Sequence, residues 1–419
     1  MKAKDVFTPG RFPTVTFVDD HLQDKSALLQ DALEAGAMLI SISGPSKSGK
    51  TVFVEQCLGR GNLIQVTGAG IDSPAALWMR VFEIIGTPVG GSDTSGQSAG
   101  GNYGASGGIE GNAILARGSA NVSLGRQQSS STSATSVRPF DALQVLIREL
   151  AQTEFVVFID DFHYISSEVQ ESLAQQIKEA LRSGVKFITA SVPYHSDDVL
   201  RSNPDLRGRV TSIDFDYWAS DTLRQIATKG FAELNIVADS QVVESLTKEA
   251  AGSPQLMQSL CLNGCFELGV RERAESETAF TSGRDLLQTI CRRAALSADY
   301  GSIVEKMKEG PKTRGSERII YETTAGWQGD VYRLLVKALS LDPPLLTFRY
   351  QELIGRIAGL CRGSSPSGSS VTSACQHTAE IVNGIQPDAI VEWDGANDVF
   401  DIRDPYLLFY LRWADSVDG

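Results

Sequence analysis

Two glycines, a lysine and a threonine stand in the spacing G-x-x-x-x-G-K-[ST] at Gly44-Pro45-Ser46-Lys47-Ser48-Gly49-Lys50-Thr51. Chemically that spacing is a cradle for phosphate. Glycines let backbone N–H groups close around anionic oxygens, and a helix that starts just after the loop adds a partial positive charge. Lys50 is placed to reach the β- and γ-phosphates of a nucleotide such as ATP, and Thr51 to ligate Mg²⁺. Such a motif works only between a strand and a helix. The apolar run from Ala37 to Ser43 and the helix-patterned stretch from Thr51 to Leu58 provide that context.

A second group of chemistry-bearing residues follows the apolar, β-branched run Phe155–Ile159, which ends in Asp160-Asp161. In a parallel sheet the carboxyl ends of the strands share one edge, so this pair belongs beside the phosphate loop. Asp160 is assigned to Mg²⁺, held through water, and Asp161 to the base that orients or deprotonates an attacking water. A helix N-cap is the structural alternative for Asp161. The run Val185–Ala190 ends at Ser191, where a polar side chain would stand between the γ-phosphate and that water; ordinary turn chemistry is the alternative. Arg207 and Arg209 precede the next apolar run, and a surface or packing role is open for both. His163 and His195 share no metal-ligand spacing, and a packed neutral imidazole is the default for each.

These groups need a scaffold, and the pattern of the chain supplies one. Apolar runs at 37–43, 62–66, 155–159, 185–190 and 212–215 alternate with helical patterns at 24–35, 51–58, 74–86, 141–151 and 166–181. That alternation predicts an α/β fold: a parallel sheet sandwiched by helices. After Tyr217 the pattern is helical for about a hundred residues, with no further sheet strand expected. Helices at 327–339, 350–360 and 371–382, then apolar runs 389–393 and 398–402 around a turn, read as a winged-helix domain. The expected domains are a P-loop ATPase core at 1–217, a helical lid at 218–300, a linker at 301–324 and a winged helix at 325–419.

Composition bounds the function. The 419 residues suffice for two or three domains with their own cores. A net charge of −13 argues against coating of nucleic acid by bulk electrostatics and leaves a small local site open. No run approaches the roughly 20 apolar residues of a spanning helix, and Met1–Phe7 lacks the apolar core of a signal peptide. The six cysteines are scattered; Cys261 and Cys265, one helical turn apart, read as small core residues. The expected location is a reducing cytoplasm.

Taken with their spacing, these residues resemble the AAA+ and STAND branch of P-loop ATPases, especially its archaeal-type and origin-recognition-like members. Phe17-Val18-Asp-Asp-His-Leu-Gln-Asp-Lys resembles the family's lead-in segment that touches adenine, Phe155–His163 resembles its hhhhDD acidic motif, and Gly252-Ser253-Pro254 resembles the G-x-P turn whose proline packs on the base. Gly208-Arg209-Val210 resembles the arginine-finger position, from which an arginine reaches the γ-phosphate of a neighbouring subunit. The resemblance covers residues 14–270 by motif and 325–415 by architecture. It implies ATP and Mg²⁺ as ligands and a homo-oligomer as the working form. Two departures stand out: no arginine lies near Gln255, where the lid arginine of many AAA+ proteins falls, and Ser191 replaces the usual Asn or Thr. Both favour a slow nucleotide-dependent switch.

Two parts are unusual. From Thr87 to Ser136, Gly and Ser make up 22 of 50 residues and only four are charged, a composition that cannot bury enough apolar surface to fold alone. A disordered loop is one reading of it; the other rests on Ile114 to Leu124, which alternates with a period of two, as in a hairpin that assembles in an oligomer. In the winged helix, the recognition-helix stretch Val371–Val382 carries no Lys or Arg, and the hairpin adds Glu392, Asp394 and Asp398. Base readers need basic or amide side chains there, so a protein partner is favoured over nucleic acid. The expected function is an oligomeric, nucleotide-controlled switch acting on a protein partner, in a setting such as bacterial defence or signalling; the alternative is a DNA-loading or DNA-remodelling ATPase of the origin-recognition type.

Overall fold

The computed structural model describes residues 1–88, 141–192, 206, 208–312, 317–385 and 390–414. From residue 89 onward the Gly/Ser-rich segment, with the hairpin expected at 114–124, lies outside the described residues, as do His195 and Arg207.

The first part of the chain runs α1 (Ala3–Val6), α2 (Gln23–Ala35), β1 (Leu39–Ser43), α3 (Lys50–Leu58), β2 (Leu63–Thr67), α4 (Pro74–Ile85), α5 (Ala142–Leu150), β3 (Val156–Asp160), α6 (Ser167–Arg182), β4 (Lys186–Ser191) and β5 (Val210–Asp214). The strands form one parallel sheet in the order β2-β3-β4-β1-β5. Successive side chains on a strand point to opposite faces, and the apolar residues divide accordingly. Val157, Ile159 and Phe187 pack with Trp78, Phe82, Leu146 and Ile177 on one face. Val156, Phe158, Ile40 and Ile42 pack with Leu29, Phe53 and Phe215 on the other. Both faces are covered, which is why these strands read as continuous apolar runs rather than alternating ones.

The second part holds α7 (Ser220–Glu233), β6 (Ile236–Ala238), α8 (Ser240–Glu249), α9 (Pro254–Glu267), β7 (Thr278–Phe280) and α10 (Arg284–Ala295). Here the structure corrects the strand-free expectation: β6 and β7 pair in parallel, Ile236 opposite Thr278. Three-residue strands are too short to show a period of two. The helix α1, expected within the core at 1–217, packs into this second part: Ala3, Val6 and Phe7 join Phe231, Leu256 and Phe280.

The third part begins within the stretch expected to be a linker. Residues 301–324 contain α11 (Gly301–Glu309) and β8 (Tyr321–Glu322), which pairs with β9 (Gln328–Gly329). Ile303, Val304 and Met307 of α11 are buried in the C-terminal core; their helical spacing was hidden among the charges of Lys306, Lys308 and Glu309. Then come α12 (Val331–Leu339), β10 (Thr347–Arg349), α13 (Tyr350–Leu360), α14 (Gly368–Asn383), β11 (Val391–Asp394), β12 (Val399–Ile402) and α15 (Pro405–Trp413). β10, unseen in the sequence, adds to the hairpin to give an antiparallel sheet β10-β12-β11. The last helix belongs to two cores. Leu407, Leu408 and Leu411 pack with the third part, whereas Phe409 packs with the second.

Candidate functional site

The phosphate loop leaves the carboxyl end of β1 and enters α3 at Lys50. Gly44 is required by a close approach: a Cβ there would lie 2.4 Å from Phe215 Cβ. Gly49 takes φ +98° as the residue before α3, a conformation that costs glycine little. Lys50 Nζ donates to the carbonyls of Gly44 at 2.8 Å and Pro45 at 2.9 Å. Burial lowers the Lys50 amine to about 8, against the opposing pull of Asp160 and Asp161. The amine therefore has much electrostatic energy to gain from an arriving phosphate.

Strand β4 separates β1 from β3, so the loop and the acidic pair face each other across its end. The Thr51 hydroxyl donates to Asp160 Oδ2 at 2.7 Å. Asp160 Oδ1 accepts the Asp161 amide at 3.0 Å, and Gln65 Nε2 approaches Oδ2 at 3.4 Å. Asp161 adopts φ +55°, which turns the chain sharply at the strand end. Among the described residues no three His, Cys, Asp or Glu side chains gather to hold a metal by themselves. One hydroxyl beside one carboxylate nevertheless suits Mg²⁺, which takes its remaining ligands from phosphate oxygens and water.

A cleft of about 1360 Å³ opens over this edge. It gathers Phe17, Val18, Ser46, Lys47, Gly49, Lys50, Thr51, Asp160, Asp161 and Pro254 on one wall system. Gly44, Pro45 and Ser48, also of the loop, are buried. Ser191 closes β4 opposite Ser43 and is buried, and its neighbour Val192, not Ser191, lines the cleft. Arg209 is not brought to this site. Its carbonyl accepts from Leu39 N at the start of β1, so it stands a full strand length, roughly 16 Å at 3.3 Å per residue, from the loop. Any contact between Arg209 and a γ-phosphate must come from a second copy.

Pro254 sits at the start of α9, capped by Ser253, whose hydroxyl accepts from Leu256 N at 3.2 Å. The turn before it needs Gly252: φ is +81°, and a Cβ would meet Tyr217 Cβ at 2.6 Å. Phe12 stacks on Phe17, ring centroids 5.8 Å apart, along the N-terminal wall.

Two solved structures share the fold of this chain. The ORC2 protein of Aeropyrum pernix, in its ADPNP–ADP complexes, matches with a TM-score of 0.51 and 12% identity over 99% of this chain and 96% of that one. A Walker-type ATPase of Pyrococcus abyssi matches with a TM-score of 0.51 and 15% identity over 93% and 95%. The fold is that of the AAA+ P-loop ATPases. No protein-family model matches the chain, and no curated protein matches it in sequence. Within this AAA+ fold the phosphate loop and Asp160–Asp161 occupy the edge the motifs called for.

Sequence reasoning missed part of the site. Trp218 Nε1 donates to the Ser48 carbonyl at 2.9 Å and packs edge-on against His21 at 4.4 Å. The third part of the chain supplies another wall through Tyr300, Arg403, Asp404 and Tyr406. Lys47 Nζ donates to both Asp404 oxygens, at 2.9 and 2.7 Å, and lies 4.4 Å from the centre of the Tyr406 ring. No short motif marks Tyr300, Arg403, Asp404 or Tyr406; the docking of the third part brings them here.

Proposed function

We propose that this chain is a Mg²⁺-dependent ATPase that binds ATP between residues 44–51 and the Asp160–Asp161 pair. The observation that carries the proposal is the Thr51–Asp160 hydrogen bond, because it joins the two groups that a magnesium–phosphate complex must bridge. ORC2 of A. pernix carries ADPNP and ADP in its complexes, and the shared fold supports the same ligand class here. In this reading Lys50 holds the β- and γ-phosphates, Asp160 holds the cation through water, and Asp161 orients the attacking water. Phe17, Val18 and Pro254 enclose the base. Ser191, buried at the end of β4 and not lining the cleft, is given no part in this reading. Arg209 acts on the site of a neighbouring copy, which makes the working form a homo-oligomer.

The product of this chemistry is a switch on a protein partner in the cytoplasm, in the manner of STAND proteins. The third part from α12 onward, ordered helix–strand–helix–helix–hairpin, is read as a winged helix that meets protein. Its helix α14 carries no lysine or arginine, and β11 and the turn after it carry Glu392, Asp394 and Asp398. Glu392 is paired with Arg403, and a helix without basic side chains beside Asp394 and Asp398 offers phosphate no cation. DNA-stimulated turnover that falls steeply with salt would favour the loader reading instead. ATP-dependent growth in particle mass without DNA favours the switch.

The direct test is a pair of variants assayed for binding and turnover. Lys50→Ala should abolish nucleotide binding. Asp161→Asn should keep binding and slow hydrolysis; equal loss of both in that variant contradicts the role given to Asp161.

A further inference from the structure

The Lys47–Asp404 pair joins the phosphate loop to the N-terminal end of the last helix. Lys47 is one of the loop's variable positions, φ +62°, with its side chain 28% exposed; Asp404 is 13% exposed. Asp404 also receives a hydrogen bond from the Tyr300 hydroxyl, and its Oδ1 caps α15 by accepting from Tyr406 N at 2.9 Å. One carboxylate thus closes the helix, holds Tyr300 and grips a cation of the phosphate loop.

The two ends of α15 are held differently. At its C-terminal end Arg412 donates to both oxygens of Glu249, at 3.0 and 2.9 Å, and the Trp413 indole donates to the same carboxylate at 2.7 Å. Glu249 and Arg412 are 6% and 7% exposed. This end is locked into the second part of the chain. The N-terminal end depends on a more accessible ion pair whose cation belongs to the nucleotide site.

We propose that nucleotide phosphates and Asp404 compete for Lys47, so that a triphosphate seated on the loop releases the N-terminal end of α15 while its C-terminal end stays anchored. The inference rests on the nucleotide reading above. Its physics is charge. A triphosphate brings several negative charges against the Lys47 ammonium, and the Asp404 carboxylate beside that ammonium is then repelled. Taking Lys47 from Asp404 leaves the carboxylate with its cap and Tyr300, which weakens the hold of the third part on the loop. The same competition makes docked Asp404 an inhibitor of nucleotide binding, since the two effects are one coupling free energy. The C-terminal part would then sense the loop directly, without a lid arginine as intermediary.

The experiment uses the full chain, with and without Mg²⁺ and a slowly hydrolysed ATP analogue. Hydrogen–deuterium exchange is followed in peptides covering 404–413, and analogue affinity is measured separately. Asp404→Asn keeps a helix-capping oxygen but removes the charge. Tyr300→Phe, which weakens only one bond to the carboxylate, serves as the milder variant. In the wild type, analogue should speed exchange near residues 404–407. In Asp404→Asn that exchange should already be fast, and the analogue should bind roughly five- to tenfold tighter, with Tyr300→Phe changed in the same direction by less. If the analogue binds the wild type but leaves exchange at 404–407 unchanged, or binds Asp404→Asn no more tightly, the competition is wrong and the nucleotide site stands. If the analogue binds none of the three proteins, the nucleotide reading falls, and the competition with it.

Discussion

The Thr51 hydroxyl donates to Asp160 Oδ2 over 2.7 Å, joining the first turn of α3 to the end of a strand two places away in the sheet. A cation held there is seen by both elements at once. Asp160→Asn should therefore weaken the Mg²⁺-dependence of nucleotide affinity by roughly ten- to a hundredfold, the usual effect of losing a group that orients a metal's ligands. Titrations of nucleotide at fixed and varied Mg²⁺ check it. Unchanged dependence would remove Asp160 from the cation site.

Lys50 gives the site a pH signature. Burial depresses its amine to about 8 in the folded chain, whereas bound phosphate favours the charged form. Below pH 8 the amine already carries its proton and affinity should be flat. Above pH 8 binding must take up a proton, so affinity should fall by up to about tenfold per pH unit. Isothermal titration in buffers of different ionisation heat reads that uptake directly. No uptake at pH 8.5 would contradict the burial of Lys50.

Gly44 and Gly252 are fixed by space. A methyl at Gly44 would run into Phe215, and one at Gly252 into Tyr217, where φ is also positive. Each Gly→Ala change should cost about 1–3 kcal/mol of stability, with Gly44→Ala also losing nucleotide affinity. Gly10→Ala, which meets nothing within 4 Å, is the control and should be near neutral. Urea unfolding of the three variants makes the comparison.

The anchor of α15 is a buried charge pair. Arg412→Ala leaves the Glu249 carboxylate and its Trp413 partner without their cation, and should cost about 3–5 kcal/mol. Exchange of Arg412 and Glu249 for a well-packed apolar pair should recover most of that. Chemical denaturation of the single and the double variant decides whether the loss comes from the stranded charge.

Much of the core was legible in the chain. The loop, the acidic strand end and the covered parallel sheet each have a local pattern: fixed glycine spacing, an apolar run ending in acids, and strands alternating with helices. Three-residue strands such as β6, β7 and β10 left no pattern, because periodicity needs more residues than they have. The α11 stripe of Ile303, Val304 and Met307 was masked by neighbouring lysines and glutamates. The third wall of the cleft was illegible for another reason. Lys47 and Asp404 are separated by 357 residues, and nothing in either one's neighbourhood points to the other. The same holds for Trp218 against the Ser48 carbonyl. Long-range docking of parts is set by how whole surfaces fit, and single positions do not announce it.

The most direct measurement is calorimetric titration of the purified chain with ATP in Mg²⁺, beside Lys50→Ala. Saturable binding by the wild type at one site per chain, lost in the variant, is the expected result. Absence of affinity for ATP or GTP in the wild type, or equal affinity in both proteins, would contradict a nucleotide seated between the Gly44–Thr51 loop and the Asp160–Asp161 pair.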